Sequence, residues 1–316
     1  MMRPLVIAVL LLQGCSDAGN EREAASGEDK CRGISNSEMV WVDGGSFTMG
    51  DDPLYREEGP PREVSLDGFW ISRTEITNSQ FGEFVADTGY VTEAERDPPE
   101  IPGATQEMLQ PGSAVFRVPS RDNPNWWIWS IGAQWRSPSG PESTIEGRGN
   151  DPVVQVTYRD ALAYADWAGM SLPSEEQWEY AAKAGTATFP EPKNSSGKPQ
   201  ANYYQGVFPA RDLGEDGYTS RAPVGCFEPN AFGLHDMIGN VWEWTTSSAR
   251  RTDTMAPVNV IKGGSFLCAA NYCARYRPAA RQFQERDLGT DHIGFRLVNT
   301  QRGILSDDVV RLNVPD

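Results

Sequence analysis

Histidine is nearly missing from this chain, with only His235 and His292 among 316 residues. A two-histidine, one-carboxylate iron centre would need both, which disfavours iron-dependent oxygenation. Cysteine is scarce as well, five residues in all, and no second Cys/His cluster stands at ligand spacing, which disfavours a zinc module. Basic residues number 28 against 44 acidic ones, a net charge of −16. An acidic surface argues against nucleic acid as a partner, because neutralising phosphates takes clustered Lys and Arg. Beyond the N-terminus no apolar run approaches the ~18 residues of a membrane span.

Apolar residues make up 39% of the chain and aromatics 10%, enough for a core, while 31 Gly and 23 Pro point to many turns and short elements. The N-terminus reads as a targeting segment: Arg3 is a short positive region and Leu5–Leu12 an apolar stretch too short to span a bilayer. Leu12-Gln13-Gly14-Cys15 then resembles a bacterial lipobox, in which Cys15 is acylated. The expected organisation is a lipoprotein signal peptide over 1–14, a polar tether over 15–38, one folded domain over 39–299 and a tail over 300–316. The protein is then a membrane-anchored lipoprotein of the cell envelope, facing the periplasm or exterior. By sorting rules Ser16 favours the outer membrane of a diderm. A monomer is expected.

Along the folded part, Met39–Val42 and then Gly44–Gly50 read as a strand, a turn and a second strand, a hairpin across a glycine break, and Val64–Ile71 as a further strand. Thr77 caps a helix with Phe81, Phe84 and Val85 on one face, ended by Gly89. Thr157, three before Asp160, and Ser174, three before Gln177, announce two more helices, the last stopped by Gly185. Trp126, Trp127, Trp129 and Trp135 stand in a loop-rich stretch, either as a roof over the core or as an aromatic wall beside a peptide groove, and both can hold. His235 falls in a loop that can face solvent, and His292–Val298 reads as the last core strand, with His292 packed rather than ligating. Between Asn202 and Glu243 the chain is acidic and loop-like, with Asp212, Glu215, Asp216 and Asp236. Oxygen ligands spread along loops suit Ca2+, although a solvated acidic face is the commoner origin of such a composition.

Two cysteines, Cys268 and Cys273, follow an apolar run that ends in Gly263-Gly264 and precede Arg275, Arg277 and Arg281. Cationic neighbours favour thiolate over thiol. The spacing alone admits a short-loop disulfide, a zinc half-site, or two soft donors for Cu(I). Cys31 and Cys226 are left to pair or not; four cysteines allow three connectivities once Cys15 is acylated.

Several pieces stand in a recognisable order: Val42-Asp43-Gly44-Gly45-Ser46-Phe47-Thr48-Met49-Gly50, Pro152-Val153-Val154, Leu172-Pro173-Ser174 to Ala182, Gly239-Asn240-Val241-Trp242-Glu243-Trp244, Gly263-Gly264-Ser265-Phe266 and Gly294-Phe295-Arg296. From Met39 to Val298 the chain resembles the formylglycine-generating enzymes, the sulfatase-modifying factors. The resemblance implies an α+β, loop-rich single domain distantly similar to C-type lectins, a domain also found in iron enzymes, other modifying enzymes and non-catalytic proteins. The cysteine pair marks the formylglycine-generating members. It implies that Cys268 and Cys273 hold one Cu(I), that a substrate cysteine joins it, and that O2 oxidises this cysteine to an aldehyde. Ser265, Trp242 and Tyr272 would line the copper and oxygen pocket. Asn202, Tyr203 (main chain), Asp216 and Tyr218 (main chain) match one calcium site; Asp236, Gly239 (main chain), Val241 (main chain) and Glu243 match a second. The implied partner is a protein carrying a sulfatase-type Cys-x-Pro-x-Arg motif. Ala269-Ala270-Asn271 and Gln284–Gly289 depart from the family's usual residues, which bears on the substrate. The alternative is a lipid-anchored binding or scaffold module of the same fold with a structural Cys268–Cys273 disulfide.

Overall fold

Three helices are fixed at their starts by reciprocal capping. In the computed structural model, which describes residues 31, 38–98, 103, 105–186, 192–249 and 256–301, α1 (Asn78–Thr88) begins where Thr77 Oγ1 accepts the Gln80 N–H and Gln80 Oε1 accepts the Thr77 N–H. Thr157 with Asp160 and Ser174 with Gln177 repeat the device for α2 (Tyr158–Trp167) and α3 (Glu175–Lys183). Gly89, at φ +66°, ends α1 as expected, whereas α3 ends on Ala184 in the left-handed region, one residue before the expected Gly185.

The expected first hairpin does not form. β1 (Met39–Val42) pairs antiparallel with β4 (Phe69–Ser72), and β2 (Gly45–Met49) pairs with β3 (Arg62–Leu66), so the Val64–Ile71 run is two strands belonging to two sheets. The reason is close packing of two turns. A side chain at Gly44 would lie 2.6 Å from the Leu66 carbonyl oxygen, and one at Gly68 would lie 2.5 Å from the Trp41 ring. Glycine lets the β1–β2 break nest against the β3–β4 break.

Next come the β5 (Gly112–Phe116) and β6 (Trp127–Ile131) pair and the short β7 (Gly206–Val207) and β8 (Arg211–Asp212) pair. β9 (Trp242–Ala249), β10 (Val258–Lys262) and β11 (Arg281–Glu285) form the main sheet, with β12 (Ile293–Gly294) parallel to β9 at its edge. β13 (Val298–Asn299) instead pairs with β4. The expected single strand over His292–Val298 is therefore split, because its two ends serve different sheets. Between them, Phe295 and Leu297 carbonyls accept the N–H groups of Ile76 and Ser72. This segment stitches the two sheets together.

The core gathers where the helices lie on this framework. Phe81, Phe84, Trp135 and Tyr164 pack ring against ring with Val153, Trp244 and Phe295. Of the four clustered tryptophans only Trp135 is sealed in the core, while Trp127 is 39% exposed. Cys31 and Cys226 form a disulfide. Among the described residues no helix is long and apolar enough to cross a membrane. Cys15, the tether up to Ser37 apart from Cys31, and the tail from Arg302 lie outside the described residues.

Candidate active site

The cysteine loop hangs from the end of β10. Gly263 (φ +98°) and Gly264 (φ +77°) turn the chain, and a side chain at Gly264 would sit 2.8 Å from the Arg275 carbonyl oxygen. No other residue takes this bend so cheaply. The Cys268 N–H then donates to the Ser265 carbonyl at 2.9 Å, and the Cys273 N–H to the Ala269 carbonyl at 2.8 Å, which winds the loop into one helical turn. Neighbouring loops clamp it, since the Tyr204 N–H donates to the Cys268 carbonyl and the Phe266 N–H to the Asn240 carbonyl. As a result the two sulfurs lie 3.5 Å apart as free thiols, well beyond the ~2.05 Å of a disulfide bond.

Both sulfurs border a cavity of about 370 Å³, and Ser265, Trp242 and Tyr272 border it too, so all five expected pocket residues are brought together. Trp126, Phe208 and Tyr272 form an aromatic rim; the Phe208 and Tyr272 rings stack at 4.8 Å, and Trp126 lies 5.0 Å from Tyr272. Thus Trp126 and Trp127 serve the wall while Trp135 serves the core. Sequence reasoning missed Tyr55, Phe208, Gln282 and the placement of His292. Tyr55 enters because its hydroxyl accepts the Ala274 N–H and its ring lies 4.2 Å under Arg275, a contact that nothing local in the sequence announces.

The two sulfurs are electrostatically unequal. Burial and the contact with Cys273 push the Cys268 thiol well above its usual range. The hydrogen bond from Cys268, then the Arg275 charge, pull Cys273 down. Of the two sulfurs, Cys273 is therefore the one that gives up its proton more readily. All three arginines expected to activate the pair are held by glutamates, Arg275 by Glu57 at 2.5 Å, Arg277 by Glu58 at 2.7 Å and Arg281 by Glu175 at 2.9 Å, and Arg275 is the one whose charge lowers Cys273. His292 is neutral, its pKa pushed down to about 3 by burial.

The oxygen-rich loops meet elsewhere. Asp216 accepts the Tyr203 and Tyr218 N–H groups, and its Oδ2 and the Tyr203 carbonyl converge on the Gln205 side-chain amide. Asn202 Nδ2 donates to the Ser220 carbonyl and to Asn240. A side chain at Gly239 would collide with the Asn202 carbonyl, 2.1 Å away, so the two expected calcium loops touch. In the second, Asp236 accepts the Gly225 N–H, and Glu243 takes Arg296 on both oxygens and Trp178 on one, each at 2.7 Å. Val241 is fully buried beside Glu243. His235 does not face solvent; it is buried, with Nδ1 2.7 Å from the Phe227 carbonyl oxygen, because its loop folds under β4 and the Arg296 guanidinium holds its carbonyl. Among the described residues no three His, Cys, Asp or Glu side chains are gathered as a metal centre, so a cation would draw on two sulfurs or on amide and main-chain oxygens.

Comparison with known proteins agrees with this geometry. The sulfatase-modifying factor enzyme 1-like domain matches residues 23–301. The chain is 47% identical over 291 residues to the formylglycine-generating enzyme of Mycobacterium tuberculosis, covering 83% of this chain and 97% of that one. It is 44% identical to the enzyme of that name from Thermomonospora curvata, covering 82% and 92%. Among solved structures, PvdO from Pseudomonas aeruginosa superposes with a TM-score of 0.58 at 27% identity, covering 82% of this chain and 93% of PvdO. This chain belongs to the sulfatase-modifying factor family, the formylglycine-generating enzymes.

Proposed function

We propose that the protein converts a cysteine of a polypeptide substrate to Cα-formylglycine, using Cu(I) and O2. The carrying observation is the pair of free sulfurs 3.5 Å apart in the wall of an open cavity. The donor set fits the ion: soft sulfur is what Cu(I) selects, Cys273 is held below the usual thiol range by Cys268 and Arg275, and thiol protons leave as metal binds. Cys268 and Cys273 would hold it, and when bound it supplies affinity for a substrate thiol and one-electron chemistry with O2. The chain's own part is binding and exclusion. Trp242, Trp126 and Phe208 line the cavity with rings that keep bulk water from a reactive sulfur. Tyr272, 56% exposed, stands at the rim where a peptide enters. The Ser265 hydroxyl oxygen accepts the Leu267 N–H, which leaves its proton to donate into the cavity. Converting –CH2–SH to –CHO takes two electrons from the substrate carbon and releases its sulfur as sulfide, so complete reduction of O2, with one water formed, draws two more electrons from two external thiols, which leave as a disulfide.

The test is reduced protein with Cu(I), O2, a thiol reductant and a Cys-x-Pro-x-Arg peptide, read by the mass change at the cysteine and by aldehyde trapping. The expected result is conversion that depends on copper and on both cysteines. Copper-loaded protein that leaves such peptides unchanged would contradict the sulfatase substrate.

Two further assignments belong to this reading. Ca2+ is assigned to the Asn202, Tyr203, Asp216, Tyr218 set, two of whose oxygens, Asp216 Oδ2 and the Tyr203 carbonyl, already converge on the Gln205 amide, and to the Asp236, Gly239, Val241, Glu243 set, where one Glu243 lone pair remains beyond Arg296 and Trp178. Acylation of Cys15 anchors the protein to the membrane. Fractionation of a Cys15→Ser variant checks this, with release from the membrane as the expected outcome.

A further inference from the structure

His292 lies in the cavity wall with 8% of its surface exposed. Its placement is over-determined. The main-chain oxygen accepts the Trp242 N–H at 2.9 Å, the ring packs 4.8 Å from Trp127, and Nδ1 lies 2.6 Å from Thr290 Oγ1. Thr290 Oγ1 has no other acceptor among the described residues, so its proton goes to Nδ1. The single proton of the neutral ring then rests on Nε2. Nε2 makes no hydrogen bond among the described residues and is not sealed away from the cavity. The imidazole is thus held firmly with a donor that no protein group uses, ready for a ligand that displaces water from the cavity.

The ligand's chemistry follows from the rest of the wall. Tyr55, Trp126, Trp127, Phe208 and Trp242 present rings, and Ser265 and Gln282 are the other neutral polar side chains. A polypeptide entering this space loses water from its main-chain carbonyls, and each then requires a donor. We propose that His292 Nε2–H donates to a main-chain carbonyl of the bound peptide beside its reactive cysteine. His292 is thereby a substrate-binding residue, and it exchanges no proton in turnover because burial keeps the ring neutral. The inference rests on the functional reading above.

The experiment compares wild-type protein with His292→Leu, His292→Asn and Thr290→Val, each checked by its melting curve. Turnover of a Cys-x-Pro-x-Arg peptide is measured, together with calorimetric binding of the same peptide carrying Ser for its Cys. Loss of one buried donor should raise KM and Kd about tenfold in His292→Leu, with kcat within about twofold. His292→Asn keeps a donor amide and should stay within about threefold of wild type. Thr290→Val leaves the ring in place but frees its tautomer, should weaken binding less than His292→Leu does, and carries the test if the Leu variant does not fold. Unchanged KM and Kd in folded His292→Leu or Thr290→Val, with an active wild type, overturn the inference and spare the functional reading. A loss confined to kcat that Asn fails to rescue also overturns it, in favour of proton transfer. Wild-type protein that neither binds nor converts the peptides overturns both.

Discussion

Two of the buried polar centres in this molecule are finished to different degrees. Around Arg296 the donors are taken up: the fully buried guanidinium binds both Glu243 oxygens and the Ser72 and His235 carbonyls, and Glu243, which also receives Trp178, keeps one lone pair. That centre ties β4 to β9 and opens onto no cavity. Around Cys268 and Cys273 polar groups are left over instead: the sulfurs meet each other and the main chain of Ser265 and Arg275, while the Ser265 hydroxyl proton and one imidazole nitrogen are unused among the described residues. Low dielectric makes unfinished polar groups expensive, so they persist where a ligand completes them. The centre around Arg296 holds the fold together, and the one around the cysteines is where we propose that binding and chemistry occur.

Substitution at each centre should therefore give opposite signatures. Cys268→Ser or Cys273→Ser should abolish product and copper binding altogether while stability stays within about 1 kcal/mol, since a hydroxyl nearly matches a thiol in size but is a poor ligand for a soft ion. Urea unfolding alongside the peptide assay reads both, and a large stability loss would move the cysteines to the structural side. Arg296→Leu should cost about 3–5 kcal/mol, because Glu243 is left as a buried, unpaired charge. A mild effect on the urea midpoint would mean that the centre relaxes by taking in water.

The proposed calcium would complete oxygen sites without entering the chemistry. Chelation should lower the melting temperature and Ca2+ restore it, on the order of 3 kcal/mol at a hundredfold excess over Kd, with equal Mg2+ restoring less. A melting curve indifferent to chelator would remove calcium from the account.

The smallest expected effect is a pH dependence at the cavity's edge. Burial raises the Asp291 pKa to about 6, with the Arg221 charge opposing it. A raised folded pKa means that the native state holds the proton more tightly, so the stability Asp291 contributes is present at low pH and is lost as pH rises through about 4 to 6. Asp291→Asn should gain about 2 kcal/mol relative to wild type across that window. Neighbouring His292, lowered to about 3, runs the other way below its ordinary value, so the difference between variant and wild type must be read rather than either curve alone. Parallel curves would contradict the assignment.

What the sequence made legible was local or motif-bound. Capping pairs such as Thr77–Gln80 announce helices because their partners are three residues apart, and Gly263-Gly264 announces a bend because only glycine takes it cheaply. The five pocket residues were legible because they stand within or beside two family motifs. Pairing was not. Nothing near Met39 says that its strand partner is Ser72 rather than the next strand, since the deciding contact of Gly44 with Leu66 is made in space. For the same reason Arg277 and Arg281 looked like activators of the cysteines until Glu58 and Glu175 were found beside them. His292 was legible as packed, but its open Nε2 was not, because Thr290 and the cavity settle which face of the ring is satisfied.

The most direct test of the central claim is a Cu(I) titration of the fully reduced protein against a chromogenic chelator, with Cys268→Ser measured in parallel. The account predicts that the wild type takes up one Cu(I) per chain and that Cys268→Ser takes up none. A wild type that leaves the chelator's copper untouched, or a Ser variant that binds as tightly as the wild type, would contradict it.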